Sequence, residues 1–470
     1  MKNISTEVVV IGAGPGGYPA AFHAADKGKK VVLIDPEINP GGVCLYRGCI
    51  PSKALLHAAK VIHEAEDAKS FGIDYESPKI DVGKLFAWKD DIVSKFTGGL
   101  KTLTKSRKIE YIQGYAAFNS SNALTVKTVE DEIIEVNFDY AVIATGSIPR
   151  SIPGVEFSKN ILSSKTALSL GEIPKSMLVI GGGYIGLELG TVYAALGTEI
   201  TVVEMLPNLV QGGDKDLVSV LQKRLEKDFK KIMLNTKVSS VEDLSDKVKI
   251  IFENKDGKSE KHFDKVLVSI GRKPVTDTIK IENTKVKVDE KGFIAVDKER
   301  RTSDKNIFAV GDVACDPMLA HKATYEGKVA AEVIAGEKSI YDPAAIPAVM
   351  YTDPEIAWCG LTELEAKEKN LDIEITKFPW AASGRALTMN RTDGLTKIIV
   401  DKKTKRVLGA GIVGPGAGEL ISEAVLAIEM AALAKDLALS IHPHPTLTET
   451  FMEAAEGIYG SSTHRYKPKK

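Results

Sequence analysis

One pattern, written twice, constrains the fold of this chain more than any other feature. Residues 7–17 read EVVVIGAGPGG, and residues 177–186 read MLVIGGGYIG. Each is an apolar, β-branched run that ends in G-x-G-x-x-G, with Gly12, Gly14 and Gly17 in the first copy and Gly181, Gly183 and Gly186 in the second. Helical stretches follow at 18–27 and 187–196, closed by Gly28 and Gly197. A second apolar strand comes next (31–35 and 200–204), and it ends on an acid both times. Asp35 stands 23 positions after Gly12, as Glu204 does after Gly181. The first glycine makes a tight turn, the second admits a pyrophosphate, and the third lets helix and strand approach. The helix start offers free N–H groups to phosphate, and the acid takes ribose hydroxyls. A lone glycine motif would be weak. Two full strand–turn–helix–strand–acid units predict two Rossmann-like dinucleotide-binding modules.

The echo extends further. Residues 138–149 read FDYAVIATGSIP and residues 263–274 read FDKVLVSIGRKP, each an apolar strand running into glycine. A third such strand, 307–312, ends in Gly311-Asp312. The first module is therefore expected to be interrupted by the second and completed afterwards. A helix is expected over 85–103 with Leu85, Ile92, Phe96, Leu100 and Leu103 on its apolar face, packed on the first module. Strands at 396–400 and 407–413 and an alanine-rich helix at 418–434 predict a separate α+β C-terminal domain. The expected fold class is α/β, divided as 1–149, 150–275, 276–345 and 346–470. A length of 470 residues suits about three domains.

Charge and hydropathy narrow the partners. The formal net charge is −1, which gives no electrostatic footprint for nucleic acid or an anionic membrane. No stretch reaches the roughly 18 apolar residues of a membrane span, and the N-terminus does not resemble a signal peptide. A cytoplasmic, reducing location is expected. The basic segment 464–470 reads as a solvated tail, with docking of an acidic partner as the minor alternative. Four cysteines in such a chain do not make a structural disulfide framework. Cys315 and Cys359 are isolated and read as structural thiols.

Cys44 and Cys49 are different. Residues 41–56 read GGVCLYRGCIPSKALL, a C-x4-C pair with two glycines before it and a helical pattern after it. Lys53 lies about one turn beyond Cys49, where it can stabilise a thiolate or a reduced flavin. Thiol–disulfide exchange needs two thiols within bonding reach. A metal site is the rival reading, weakened by the lack of a second Cys/His pair nearby. Disulfide exchange moves two electrons and a nicotinamide moves a hydride, so a flavin is the relay that connects them. FAD in one module and NAD(P) in the other is the combination this suggests.

These residues, with ATG, GGGYIGLELG, VGD, MLAHKA and HPHPTLTE, resemble the pyridine nucleotide–disulfide oxidoreductases over essentially the whole chain. Within that family they are similar to the branch that reoxidises protein-bound dihydrolipoamide. The resemblance implies FAD held by Gly12, Gly14, Gly17, Asp35, Gly42, Val43, Cys44, Lys53, Gly114, Gly146, Asp312 and Ala320. It implies NAD held by Gly181, Gly183, Gly186, Glu204 and Gly271, with 276–345 completing the FAD site and 346–470 forming a dimerisation domain. Cys44 would be the exchange thiol, Cys49 the thiolate facing the flavin, His444 the acid–base catalyst and Glu449 its orienting carboxylate. The histidine would serve the partner subunit's cysteines, so a homodimer is implied. The implied partners are the lipoyl domains and core of 2-oxoacid dehydrogenase complexes, or the glycine cleavage system. No metal is expected.

Three features depart from the family pattern. Tyr46 and Arg47 are larger than the usual residues between the cysteines, and Arg47 either depresses a thiolate pKa or faces solvent. Pro443 follows His442 where alanine is usual, and His442 itself reads as structural. Pro445 is expected in the first turn of the helix that follows. Tyr184 resembles the nicotinamide-gating tyrosine of glutathione reductases. A glutathione-reductase-like enzyme using NADPH is the alternative, and Glu204 opposes it because a carboxylate repels a 2′-phosphate.

Overall fold

A computed structural model describes residues 2–466; residues 467–470, which carry most of the basic tail, lie outside the described residues. The chain opens with β1 (Lys2–Ile11), α1 (Gly17–Asp26) and β2 (Val31–Asp35). β1 and β2 are parallel, with Val8 opposite Val31 and Ile11 opposite Ile34. The Val/Ile-rich ends of both strands are buried on both faces, as a sheet covered by helices requires. A Cβ on Gly17 would stand 1.7 Å from the Gly12 carbonyl oxygen. The third glycine of the motif is thus a packing necessity.

α2 (Gly42–Arg47), α3 (Cys49–Asp67) and α4 (Val82–Ser106) follow, then β3 (Glu110–Ser120), β4 (Ala123–Thr128), β5 (Ile133–Ile143) and β6 (Ser147–Pro149). The first half of β3 runs parallel to β2, and its second half turns antiparallel to β4. α4 is longer than expected, and it presents a different face. Its buried stripe is Phe86, Lys89, Val93, Thr97, Leu100 and Thr104, while Phe96 and Leu103 are exposed. Polar residues can occupy that stripe because each has a hydrogen-bond partner. Thr97 and Thr104 donate to carbonyls one turn back, and Lys89 donates to the Leu168 carbonyl of the next module.

The second module contains β7 (Ile161–Leu162), α5 (Ser164–Ala167), β8 (Ser176–Ile180), α6 (Tyr184–Ala195), β9 (Glu199–Val203), α7 (Lys215–Asp228), β10 (Lys231–Met233), β11 (Lys237–Asp243), β12 (Val248–Asn254), β13 (Gly257–Phe263), β14 (Lys265–Val268) and β15 (Arg272–Pro274). α6 begins three residues earlier than the sequence suggests. Its sheet is all parallel, in the order β10-β9-β8-β14-β7, with an antiparallel β11-β12-β13 appendage. β6 and β15, which carry the chain out of and back into the first module, pair antiparallel. β16 (Ile307–Ala309) then joins β5 in parallel, and α8 (Ala320–Ile334) packs on α1. The parallel part of the first sheet is therefore β3-β2-β1-β5-β16, the same plan as the second.

The remainder holds β17 (Ala348–Met350), β18 (Ile356–Gly360), α9 (Glu363–Glu368), β19 (Ile373–Pro379), α10 (Gly384–Thr388), β20 (Leu395–Asp401), β21 (Val407–Val413), α11 (Ala417–Glu429), α12 (Ala434–Leu439) and α13 (Glu449–Tyr459). The sheet is antiparallel in the order β17-β18-β21-β20-β19. The expected helix over 418–434 stops at Glu429, because Ala431 takes a left-handed conformation (φ 54°) before α12 starts. Pro445 precedes α13 by a full turn, so it does not sit in that helix. The fully buried Lys397 ammonium ties this sheet to α7's start through Asp214 (2.6 Å) and Asp216 (2.8 Å), and to α9's start through Glu363 (2.9 Å). That acidic group is already filled by a cation. No helix among the described residues is long and apolar enough to cross a membrane.

Gly17→Ala should cost about 3 kcal/mol or more, since the new methyl meets backbone rather than a movable side chain. Denaturant unfolding of the flavin-free protein would show it. An unchanged midpoint would mean that the turn can open at little cost.

Candidate active site

The first module, α6 and the return segment enclose a cavity of about 490 Å³. Its floor follows from the glycines. Gly12 takes φ +96°, and a Cβ on Gly42 would stand 2.4 Å from the Cα of Gly14. The Asp35 carboxylate accepts the Ala13 N–H (2.7 Å) and the Glu37 N–H (2.9 Å). Burial pushes its pKa up to about 6, against the pull of the Ala13 N–H and the Arg47 charge. The second module repeats this wiring, with Glu204 accepting the Gly182 N–H (2.8 Å) and the Leu206 N–H (2.9 Å).

Gly12, Gly14, Asp35, Gly42, Val43, Cys44, Cys49 and Lys53 all line the cavity, as do Gly114, Gly146, Asp312 and Ala320. Gly17 does not, because it is spent on packing. Gly181, Gly183, Gly186, Glu204 and Gly271 also lie off this cavity, at the second turn, while Tyr184, Ile185 and Glu188 from the same α6 do line it. Asp312 accepts a hydrogen bond from Ser147 (2.5 Å), whose hydroxyl in turn receives the Arg272 Nε–H (2.7 Å). Sequence reasoning missed Ser147, Arg272 and Glu188. Glu188 had a signal, being the one acid in the apolar run IGLELG.

The cysteines sit on two abutting helices. Cys44 is within α2, and Cys49 is the first residue of α3. Gly48 makes the junction possible, since a Cβ there would stand 2.8 Å from the Val43 carbonyl oxygen. Both thiols are free, Cys44 half-buried and Cys49 open to the cavity. The two are strongly unequal. Hydrogen bonding from Cys44 lowers the Cys49 pKa to about 7, burial opposes this, and Lys53 assists. The same bond and burial push the Cys44 thiol up. A helix N-terminus favours the thiolate at Cys49 as well.

Lys53 pairs with the buried Glu188 at 2.8 Å and lies 4.4 Å over the Tyr351 ring. Glu188 also accepts the Tyr351 N–H at 2.9 Å. Arg47 pairs with Glu37. Its charge is therefore spent beside Asp35, not on the thiols. Tyr46 donates its hydroxyl to the Asn39 carbonyl (3.0 Å).

His444 and Glu449 meet as expected by residue pairing, Nδ1 to Oε1 at 2.9 Å. Glu449 also accepts the Thr446 N–H at 2.8 Å. Burial works against its charge, but the Thr446 N–H and His444 outweigh it and hold its pKa down. The His444 side chain is 74% exposed and lines no part of the cavity. His442 is structural, bonded to the Ser440 carbonyl (2.8 Å) and Glu423 (2.8 Å). Cys359 is buried in the C-terminal core, its pKa pushed up to about 12 by burial. Cys315 is half-buried against Lys322 (3.3 Å).

Two dinucleotide turns with an unequal thiol pair between them define a class of protein, one that exchanges electrons between a dithiol and nucleotide cofactors. The comparisons agree. Residues 6–327 match the family described as pyridine nucleotide-disulphide oxidoreductase, and residues 346–455 match its dimerisation domain. The chain belongs to the pyridine nucleotide-disulphide oxidoreductase family, an FAD-dependent family of enzymes. It is 49% identical to the dihydrolipoyl dehydrogenase of Haemophilus influenzae, covering 98% of this chain and 97% of that one. It is 46% identical to the dihydrolipoyl dehydrogenase of Geobacillus stearothermophilus, covering 98% of each. Its fold matches that of LpdA from Mycobacterium tuberculosis (TM-score 0.89, 24% identity, covering 96% of this chain and 99% of that one). It also matches the flavoprotein disulfide reductase RclA of Escherichia coli (TM-score 0.86, 27% identity, covering 96% and 99%).

In the reduced, flavin-free protein, iodoacetamide should modify Cys49 before Cys44, at a rate that rises through about pH 7. A thiol with a lowered pKa is thiolate above that value and loses reactivity as pH falls through it. Lys53→Met should move the rise to higher pH. Peptide mapping that finds Cys44 labelled first would reverse the assignment.

Proposed function

We propose that this chain is a dihydrolipoyl dehydrogenase, oxidising protein-bound dihydrolipoamide with NAD⁺ through the Cys44–Cys49 disulfide. The observation that carries this is the unequal thiol pair opening into the same cavity as the first dinucleotide turn. The residues present fit FAD. The Gly12/Gly14/Gly42 cradle admits a pyrophosphate, Asp35 takes ribose, and Asp312 has one carboxylate oxygen free for the ribityl chain. When bound, FAD would supply the two-electron acceptor that hands hydride to a nicotinamide held by Gly181, Gly183, Gly186, Glu204 and Gly271.

The chain's own residues handle the sulfur and proton chemistry. A substrate thiolate attacks Cys44 Sγ, forming a mixed disulfide, and Cys49 leaves as a thiolate. That direction is the one the resemblance implies, and Cys49's place in the first turn of α3, one turn before Lys53, favours it as the leaving thiolate. The second substrate thiol attacks its own sulfur in the mixed disulfide, which releases Cys44. His444 Nε2 takes the substrate proton while Glu449 holds Nδ1. An exposed His444 that does not line its own chain's cavity fits service to a second subunit, and the dimerisation domain supports a homodimer. Leu426, Met430, Leu439 and Ile441 leave an apolar surface for that contact.

On this reading 1–149 and 276–345 form the FAD-binding part, 150–275 the NAD-binding part and 346–470 the interface. The natural partners are lipoyl domains of a 2-oxoacid dehydrogenase complex or the glycine cleavage system, in a reducing cytoplasm. Glu204 favours NAD over NADP.

Purified holoprotein should turn over dihydrolipoamide with NAD⁺ far faster than it oxidises NADPH with glutathione disulfide. The opposite ratio would replace the proposal with a glutathione reductase. His444→Gln should slow dihydrolipoamide oxidation about 10²–10⁴-fold and leave FAD content unchanged. Mixed dimers of Cys44→Ser and His444→Gln chains should regain activity, since one site is then intact. No recovery would place the histidine in its own chain's site.

A further inference from the structure

Arg47 lines the cavity at the end where Asp35 and Glu37 stand. Its side chain is only 26% exposed, and Glu37's is 25% exposed. Among the described residues, the guanidinium has one hydrogen-bond partner, Glu37. A guanidinium carries five N–H donors, and none of Arg47's nitrogens is buried without a partner, so those that Glu37 does not engage remain open to a ligand in the cavity.

The charges here make a second argument. Each Asp35 oxygen accepts one backbone N–H and keeps a lone pair for ribose, and Glu37 adds another carboxylate. Without Arg47 this wall would set two carboxylates against a ligand half bearing two phosphate charges. The neighbouring thiols do not use the guanidinium, since Cys44, burial and Lys53 account first for the Cys49 shift.

We propose that Arg47 is a binding residue for the adenosine diphosphate half of the flavin dinucleotide, with Glu37 as the residue that positions its guanidinium at the cavity wall. The proposal rests on the FAD reading above. Arg47 supplies planar donors for phosphate or ribose oxygens, and its charge offsets that of Glu37, so the wall does not set a second uncompensated carboxylate against the phosphates.

Flavin-free protein should be titrated with FAD, by quenching of flavin fluorescence, and with ADP, by calorimetry, at low and high salt. Arg47→Leu is expected to weaken both about tenfold, or ~1.4 kcal/mol, and to reduce the salt dependence. Arg47→Lys should recover part of the loss. Glu37→Gln, which keeps an acceptor oxygen but loses the charge that holds the guanidinium, should weaken both by clearly less than Arg47→Leu does. Equal binding by Arg47→Leu and the parent would overturn the proposal. So would loss of FAD with ADP retained, which would place Arg47 on the flavin half. Equal losses in Arg47→Leu and Glu37→Gln would make the pair a loop tie only. If Arg47→Leu does not fold, Arg47→Gln takes its place, and parent-like FAD and ADP affinity with parent-like salt dependence in Arg47→Gln overturns the proposal. Failure of the parent protein itself to bind FAD is a different result, and it would sink the flavin reading.

Discussion

The ion pair between Lys53 and Glu188 is the interaction on which this architecture turns. Lys53 stands one turn after Cys49 on α3, and Glu188 comes from α6 of the second module. Glu188's other oxygen holds the backbone of Tyr351 in the C-terminal part, whose ring in turn faces Lys53. Three parts of the chain therefore meet at one charge. A buried carboxylate with no partner would be costly, so Glu188 is tolerated only because Lys53 and the Tyr351 N–H satisfy it. The same lysine favours the Cys49 thiolate. Assembly of the domains and activation of the thiol are one electrostatic arrangement.

Around that junction the two dinucleotide modules differ in use while sharing their wiring. Each acid is held by the N–H after its first glycine and by the N–H two residues beyond itself. Each third glycine lies where a Cβ would strike the carbonyl of its first glycine, at 1.7 Å for Gly17 and 2.7 Å for Gly186. The segments that end the two modules pair with each other as β6 and β15. This is how an interrupted module stays continuous: the outgoing and returning chains share a ladder.

Much of this was legible in the residues, and the exceptions have physical causes. The apolar period reveals α4 but not its buried face, because Thr97 and Thr104 satisfy their hydroxyls one turn back, Lys89 reaches the Leu168 carbonyl, and all three can then be buried. The helix after β21 ends at Glu429, short of the expected residue 434, because alanine content says nothing about a single left-handed residue, Ala431. Arg47 was read in relation to the cysteines two and three positions away. Its side chain instead reaches Glu37, ten positions back, and a contact of that kind has no period.

The sequence by itself determined the two nucleotide turns, the paired acids and the dithiol, because each depends on spacing within one short segment where geometry is local; the His–Glu pair came from the family resemblance. Tertiary structure alone decided that Glu188 supports Lys53, that Ser147 and Arg272 stand behind Asp312, and that His444 lies away from its own chain's cavity. Those outcomes depend on burial and on charges brought together from distant segments, and only the folded packing sets both.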